Sequence, residues 1–248
     1  MSRGIADIAP ARLALLNAGS VVSATLTEGL AIDFARLLAA AVPAIGGDGL
    51  ARMGAQAEAG ITRRMALAAQ LLLEANVDLA QLQVHPSDTV RGWVCFAIAA
   101  QAGLTLPQRL AAMRPLADDG HFGVREWAWL ALRPRLAASL EEALALLAPW
   151  TGEASERLRR FACEALRPRG VWCAHIAELK QQPQLALPLL QPLRADPGVY
   201  VQDAVANWLN DAAKTRPDWV RGVCAQWLAD SPAAATLRIC KRAQRSLA

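Results

Sequence analysis

Glu126, Trp129 and Arg133 stand three and four residues apart, a spacing that sets an acid, an indole and a guanidinium along one line of a helix. Arg157, Arg160, Glu164 and Arg167 form a second such line, and Asp203, Asn207, Asn210 and Lys214 a third. A carboxylate among cations has two uses. It can neutralise neighbours on its own helix, contributing roughly a few tenths of a kcal/mol per pair, or it can face positive charge that develops on a bound reactant. Glu164, with Arg160 and Arg167 on its own helix, fits the first use well, and Glu126 fits it less well. A tryptophan on a wet face costs free energy unless it is covered or meets a flat partner, so Trp129 and Trp172 are expected to line a groove. Further along, Arg238, Lys241, Arg242 and Arg245 recur at offsets three, four and seven and make one cationic edge. Such an edge suits phosphate contacts, although a helix C-terminus favours cations in any case.

The elements that must carry these side chains repeat. Leu132-Arg133-Pro134-Arg135 returns unchanged as Leu166-Arg167-Pro168-Arg169, thirty-four residues later. Val124, Trp127, Ala128, Ala131 and Leu132 correspond to Leu158, Phe161, Ala162, Ala165 and Leu166, both sets at the offsets of a buried helical stripe. Val90, Trp93, Val94, Ala97 and Ile98 repeat the pattern earlier, and Val201, Ala204, Val205, Trp208 and Leu209 later. Each helix is followed by a second apolar segment, and no run alternates with the period of a strand. The fold class is therefore all-α, an α-solenoid of HEAT-like helical pairs with a concave basic groove. A single domain over 1–248 is expected, with an irregular helical cap at 1–55 and the clearest repeats at 85–248. Proline should end each helix at Leu-Arg-Pro-Arg, because it drives the preceding residue out of the α region.

Composition narrows the partners. Of 26 basic residues only Lys180, Lys214 and Lys241 are lysines, and the net charge is +4. Residues 111–248 hold 18 basic and 14 acidic side chains, so the surplus lies in the second half and points to a polyanion. Cys95, Cys163, Cys173, Cys224 and Cys240 show no paired spacing, and His85, His121 and His175 join no metal or nucleophile pattern. No metal and no cofactor is expected. With no apolar stretch of bilayer length and no secretory leader pattern, the chain reads as cytoplasmic, monomeric and away from membranes.

Leu158 to Trp172 carries paired arginines, then Glu164, Arg167-Pro168-Arg169 and Trp172; Tyr200 to Lys214, with Val201, Val205, Asn207, Leu209, Asn210 and Asp211, leads into Pro217, Trp219 and Val220. Both segments resemble the AlkC/AlkD-type DNA alkylation repair proteins, closer to the AlkC type, without the immunoglobulin-like domain that some of those carry. The resemblance implies a glycosylase that hydrolyses the N-glycosidic bond of N3- or N7-alkylated purines in double-stranded DNA, needing no cofactor. It implies Glu126 or Asp203 as electrostatic stabiliser and water positioner, with Glu164 orienting Arg160 and Arg167. Trp129 and Trp172 would pack on sugar or base. Arg133, Arg135, Arg160, Arg167, Arg169, Asn207, Lys214, Arg238, Lys241, Arg242 and Arg245 would face DNA. For that chemistry the carboxylates of Glu126, Glu164 and Asp203 must line one hollow. The alternative is a non-catalytic HEAT-repeat module that binds DNA structure or a protein partner.

Overall fold

Capping side chains and prolines cut the alanine- and leucine-rich sequence into helices. Thr25 accepts from the Glu28 amide, the Asp33 carboxylate from the amides of Ala35 and Arg36, and Thr105 with Gln108 forms a reciprocal capping box. The computed structural model describes residues 4–170, 172–230 and 232–247, and among them there are helices and turns but no strand. The chain divides into two compact units, one up to Ala131 and one from Leu132 onward. The division falls within the helix Phe122–Ala138. Among the described residues no single helix is long and apolar enough to cross a membrane.

In the first unit the helices before residue 55 are short, none exceeding nine residues. The longer Ile61–Glu74 packs along Asp88–Ala100. The core there is Met65, Leu72, Val90, Val94 and Trp93, with Phe34 edge-on to the Trp93 ring at 5.4 Å. Gly92 sits where an added Cβ would lie 2.7 Å from the Trp127 ring, so the helix approaches that indole closely for want of a side chain. In the second unit Val199–Ala213 is packed against both Glu156–Glu164 and Ala234–Ala243. Trp208 is fully buried and donates its Nε1 proton to the Leu166 carbonyl at 3.0 Å.

Proline behaves differently in the two copies of Leu-Arg-Pro-Arg. Glu156–Glu164 ends before Pro168, as expected, but Phe122–Ala138 continues through Pro134. A mid-helix proline removes one backbone hydrogen bond, a cost of about 3 kcal/mol. The segment from Ala128 to Arg133 is buried at every position, and tertiary burial on this scale offsets the loss.

The period also positions a set of arginines that the sequence analysis did not single out. Arg91, Arg125 and Arg159, thirty-four residues apart, each follow the first core position of a repeat helix. Each Nη1 donates to two carbonyls of the turn behind it: Arg91 to His85 and Pro86, Arg125 to Asp119 and Gly120, Arg159 to Glu153 and Ala154, at 2.6 to 3.1 Å. Arg91 also grips Asp119 with two hydrogen bonds, and Arg159 grips Asp196 likewise, at 2.6 and 3.1 Å. Those aspartates accept in turn from the amides of His121 and Gly198. In the last equivalent position Gln202 takes over the carbonyl half of the role, donating to Asp196 at 2.8 Å.

The glutamine at 202 supplies a natural measure of what each half contributes. Arg159→Gln should keep the turn carbonyls bonded and leave the buried Asp196 carboxylate without its fork, whereas Arg159→Ala loses both. We expect urea unfolding to show a loss of about 3–5 kcal/mol for the alanine variant, as for removing one partner of a buried pair, and a distinctly smaller loss for glutamine. Equal losses would contradict the division of labour.

Candidate functional site

The expected site residues separate by burial. Glu164, at the end of Glu156–Glu164, is only 4% exposed. It accepts from Arg167 Nη1 at 2.7 Å and lies 3.8 Å from Arg160 Nη2. Arg167 reaches on with Nε and Nη2 to one Asp211 oxygen, at 3.0 and 2.7 Å, and Lys214 stands 3.4 Å from the other. Burial alone would lower the Arg167 pKa, but Glu164 and Asp211 together hold it above the ordinary arginine range. Arg160 lies over the Tyr200 ring, 4.4 Å from its centroid. Glu164 thus meets both arginines it was expected to orient. The chain of charges is internal, so the Glu164 carboxylate is not a wall of an open hollow.

Arg133 departs furthest from expectation. It is 2% exposed, and its guanidinium donates to the carbonyls of Ala165, Arg167 and Ala174 at 2.5 to 3.2 Å. Ala165 and Arg167 follow directly on the end of Glu156–Glu164, where a helix that stops inside a protein leaves carbonyls in need of donors, and Ala174 lies in the loop beyond. Burial pulls the Arg133 pKa below its ordinary value. Arg133 therefore holds the fold and does not face phosphate. Arg160 and Arg167, with side chains 12% and 13% exposed, are corrected in the same direction.

Trp129 is also corrected. The sequence placed it on a wet face, but it is 5% exposed, while Trp127, assigned to the core, is half-buried against Phe96. The helix is covered on both sides at this point, so the stripe opposite the core stripe is not solvent-facing. The Trp129 indole donates to Glu126 Oε2 at 2.8 Å, and Glu126 itself is half-buried. A neutral donor thereby fixes the direction of a carboxylate three residues earlier on the same helix.

Asp203 keeps solvent contact, with its side chain 37% exposed. Arg238 approaches it at 2.7 Å and Arg242 at 3.1 Å, both from Ala234–Ala243. Asn207, one turn along, accepts from Arg245 at 2.9 Å. The cationic edge is therefore real as geometry, and its half nearest Val199–Ala213 is anchored by Asp203 and Asn207. Arg135, Lys241 and Arg245 are exposed, and Arg169 is half-buried. Trp172 is 59% exposed, with a backbone φ of 59°, a left-handed conformation that costs a non-glycine residue about 1–2 kcal/mol. Asp211 and Tyr200 are the partners that sequence reasoning missed. Both lie within the matched signature, but their contacts reach 44 and 40 residues away, beyond any helical spacing. Among the described residues no group of histidine, cysteine and acidic side chains could hold a metal ion.

Helical repeats displaying arginine-anchored carboxylates, a cationic helix edge and an exposed indole define a class of all-α helical-repeat proteins. Residues 124–235 match the model of a family described as DNA alkylation repair enzyme. The alkylpurine DNA glycosylase AlkC of Pseudomonas fluorescens, solved bound to DNA containing an abasic site analog, superposes with a TM-score of 0.71 and 25% identity. That match covers all of this chain and 65% of the other. AlkD2 from Streptococcus mutans superposes with a TM-score of 0.59 at 19% identity, over 86% of this chain and 96% of its own, a likeness of fold. YhaZ of Bacillus subtilis (strain 168), an uncharacterized protein, is 42% identical over 76 residues, 31% of this chain and 21% of its own. The chain thus spans about two thirds of AlkC and a fifth of YhaZ. The chain is thus similar to AlkC/AlkD-type DNA alkylation repair proteins over residues 124–235 and shares their all-α repeat fold.

If Arg133 is structural, replacing it should injure stability and spare nucleic-acid affinity. Arg133→Met, which keeps the stem and removes the donors, is expected to lower the unfolding free energy by about 2–4 kcal/mol through unsatisfied carbonyls. The folded fraction should bind duplex DNA with unchanged salt dependence. A normal urea midpoint with weakened DNA binding would return Arg133 to the surface role.

Proposed function

We propose that this chain is a DNA glycosylase that hydrolyses the N-glycosidic bond of N3- or N7-alkylated purines in duplex DNA. The observation that carries the reading is the AlkC likeness along the whole chain, joined to a carboxylate, Glu126, whose direction is fixed by the Trp129 indole. An N3- or N7-alkylated purine is cationic, so the C1′–N bond breaks with its electron pair passing to the ring and the base leaves neutral. No general acid is required. Positive charge instead builds on the deoxyribose, and a preorganised carboxylate stabilises it there. Water then adds to C1′ and gives up a proton, leaving an abasic sugar and a free base.

Within this reading Glu126 faces the developing sugar charge and holds the water. Asp203, gripped by two guanidiniums, orients Arg238 and Arg242 toward phosphates. Trp172, large, apolar and exposed, stacks on a base or sugar. Lys241, Arg245, Arg135, Arg169 and Lys214 add phosphate contacts, which makes affinity fall with salt.

The test is release of free 3-methyladenine or 7-methylguanine from methylated duplex DNA by the purified protein. Glu126→Gln keeps an acceptor for the indole and removes the charge, and it should lower the single-turnover rate by about 10²-fold with DNA affinity retained, as for loss of one electrostatic stabiliser. No release above the spontaneous background, with tight duplex binding, would replace this reading with a non-catalytic DNA-binding repeat module.

A further inference from the structure

The second unit holds a further cationic hollow, which the sequence patterning did not mark. The short helix Ala177–Gln181 and the turn that follows Val199–Ala213 border an open depression of about 350 Å3, lined by Ala177, Lys180, Gln181, Thr215 and Arg216. Arg216 is set in place by its Nε, which donates to the Gln181 carbonyl at 2.8 Å, so the two terminal nitrogens remain for another acceptor. Thr215 closes the turn by donating to the Ala212 carbonyl.

The cations of this hollow differ from the acid-paired arginines of the unit. Arg159, Arg167, Arg238, Arg242 and Lys214 each meet a carboxylate within 4 Å, whereas among the described residues neither Lys180 nor Arg216 has one. The acids close by in sequence are directed elsewhere. Asp218 pairs with Arg221 at 2.8 Å, and Glu178, two residues from Lys180, lies on another side of its short helix. Two cations beside one hollow repel each other until an anion sits between them.

We propose that this hollow binds a phosphate oxyanion, and that its occupant is a backbone phosphodiester of duplex DNA, outside the contacts made by the Ala234–Ala243 edge. A free phosphate is best held in an enclosed cradle of backbone amides. An open depression with one point charge and one pinned fork suits a phosphate presented on a strand. The assignment rests on the duplex-binding part of the proposed function, and it lengthens the footprint without touching the site of chemistry.

The experiment is a salt series of duplex binding for the full chain and for Lys180→Gln, an accessible position whose loss leaves the core intact, with Arg216→Gln and the double variant beside them. Thermal unfolding provides the folding control. Lys180→Gln should weaken binding several-fold at about 100 mM salt and reduce the slope of log K against log salt by about 1, with the double variant losing about 2. The rate of base release at saturating DNA should not change. Unaltered affinity and slope in the folded variants would overturn the assignment. So would inorganic phosphate that shifts the Thr215 and Arg216 amide resonances saturably while duplex affinity ignores Lys180→Gln, because the occupant would then be a free anion. A wild-type chain that releases no base yet shows the Lys180-dependent slope would sink the glycosylase reading and leave this site standing.

Discussion

A helix that stops inside a protein strands its last carbonyls, and a chain of many short helices meets that problem at each turn. Here buried guanidiniums solve it. Arg109 donates to the carbonyls of Ile98, Ala99 and Gln101 at the end of Asp88–Ala100. Arg133 serves the end of Glu156–Glu164 in the same way, and Arg91, Arg125 and Arg159 serve the turns that lead into the repeat helices. An unmet buried carbonyl costs about 1–3 kcal/mol, comparable to a sizeable share of a domain's whole stability. A lysine could not serve, because only a planar fork reaches two or three acceptors from one stem. That requirement accounts for much of the preference for arginine over lysine in this sequence.

The same requirement changes how the charge is read. The basic surplus of the second half suggested a polyanionic partner, but Arg133, Arg159 and Arg167 are spent on carbonyls and on Asp196, Glu164 and Asp211. What remains for a partner is smaller and more local: the Arg238 to Arg245 edge, Arg135, Arg169, Lys214 and the hollow between Lys180 and Arg216. A count of charges cannot separate these uses, since a structural arginine and a phosphate-binding one have the same letter. Their environments differ, and environment is set by residues 30 to 45 positions away.

Equivalence along the chain was legible where coverage was not. The repeated Leu-Arg-Pro-Arg and the apolar offsets identified the helices and their period, because both are local. The same alignment contained the Arg91, Arg125, Arg159 series, one place after each first core residue, and could have flagged it. Which faces are covered depends on neighbours, and this is where expectations failed. Trp129 was assigned to water and lies buried, Trp127 was assigned to the core and is half-exposed, and Pro134 passes through a helix it was expected to end. In each case packing overrode a local rule of a few kcal/mol or less. The acids on the three helices stood out by their spacing, but Asp211, which shares Arg167 with Glu164, and Arg238 and Arg242, which meet Asp203, lie beyond any helical spacing from them.

Those partners bear on how a carboxylate can work beside DNA at all. A bare acid near a phosphate backbone is repelled, and removing cations from water to shield it costs desolvation. The second unit resolves this by keeping its acids in fixed company: Glu164 and Asp211 lie deep with Arg167, and Asp203 stays at the surface under Arg238 and Arg242. An acid so neutralised is poorly placed to stabilise a sugar cation and well placed to hold arginines in register for phosphates. Glu126 receives the Trp129 indole, which fixes the direction of its carboxylate. Within the proposed function Asp203 therefore positions arginines for phosphates, a role that follows from its two guanidinium donors on Ala234–Ala243 and not from the sequence spacing that first drew attention to it.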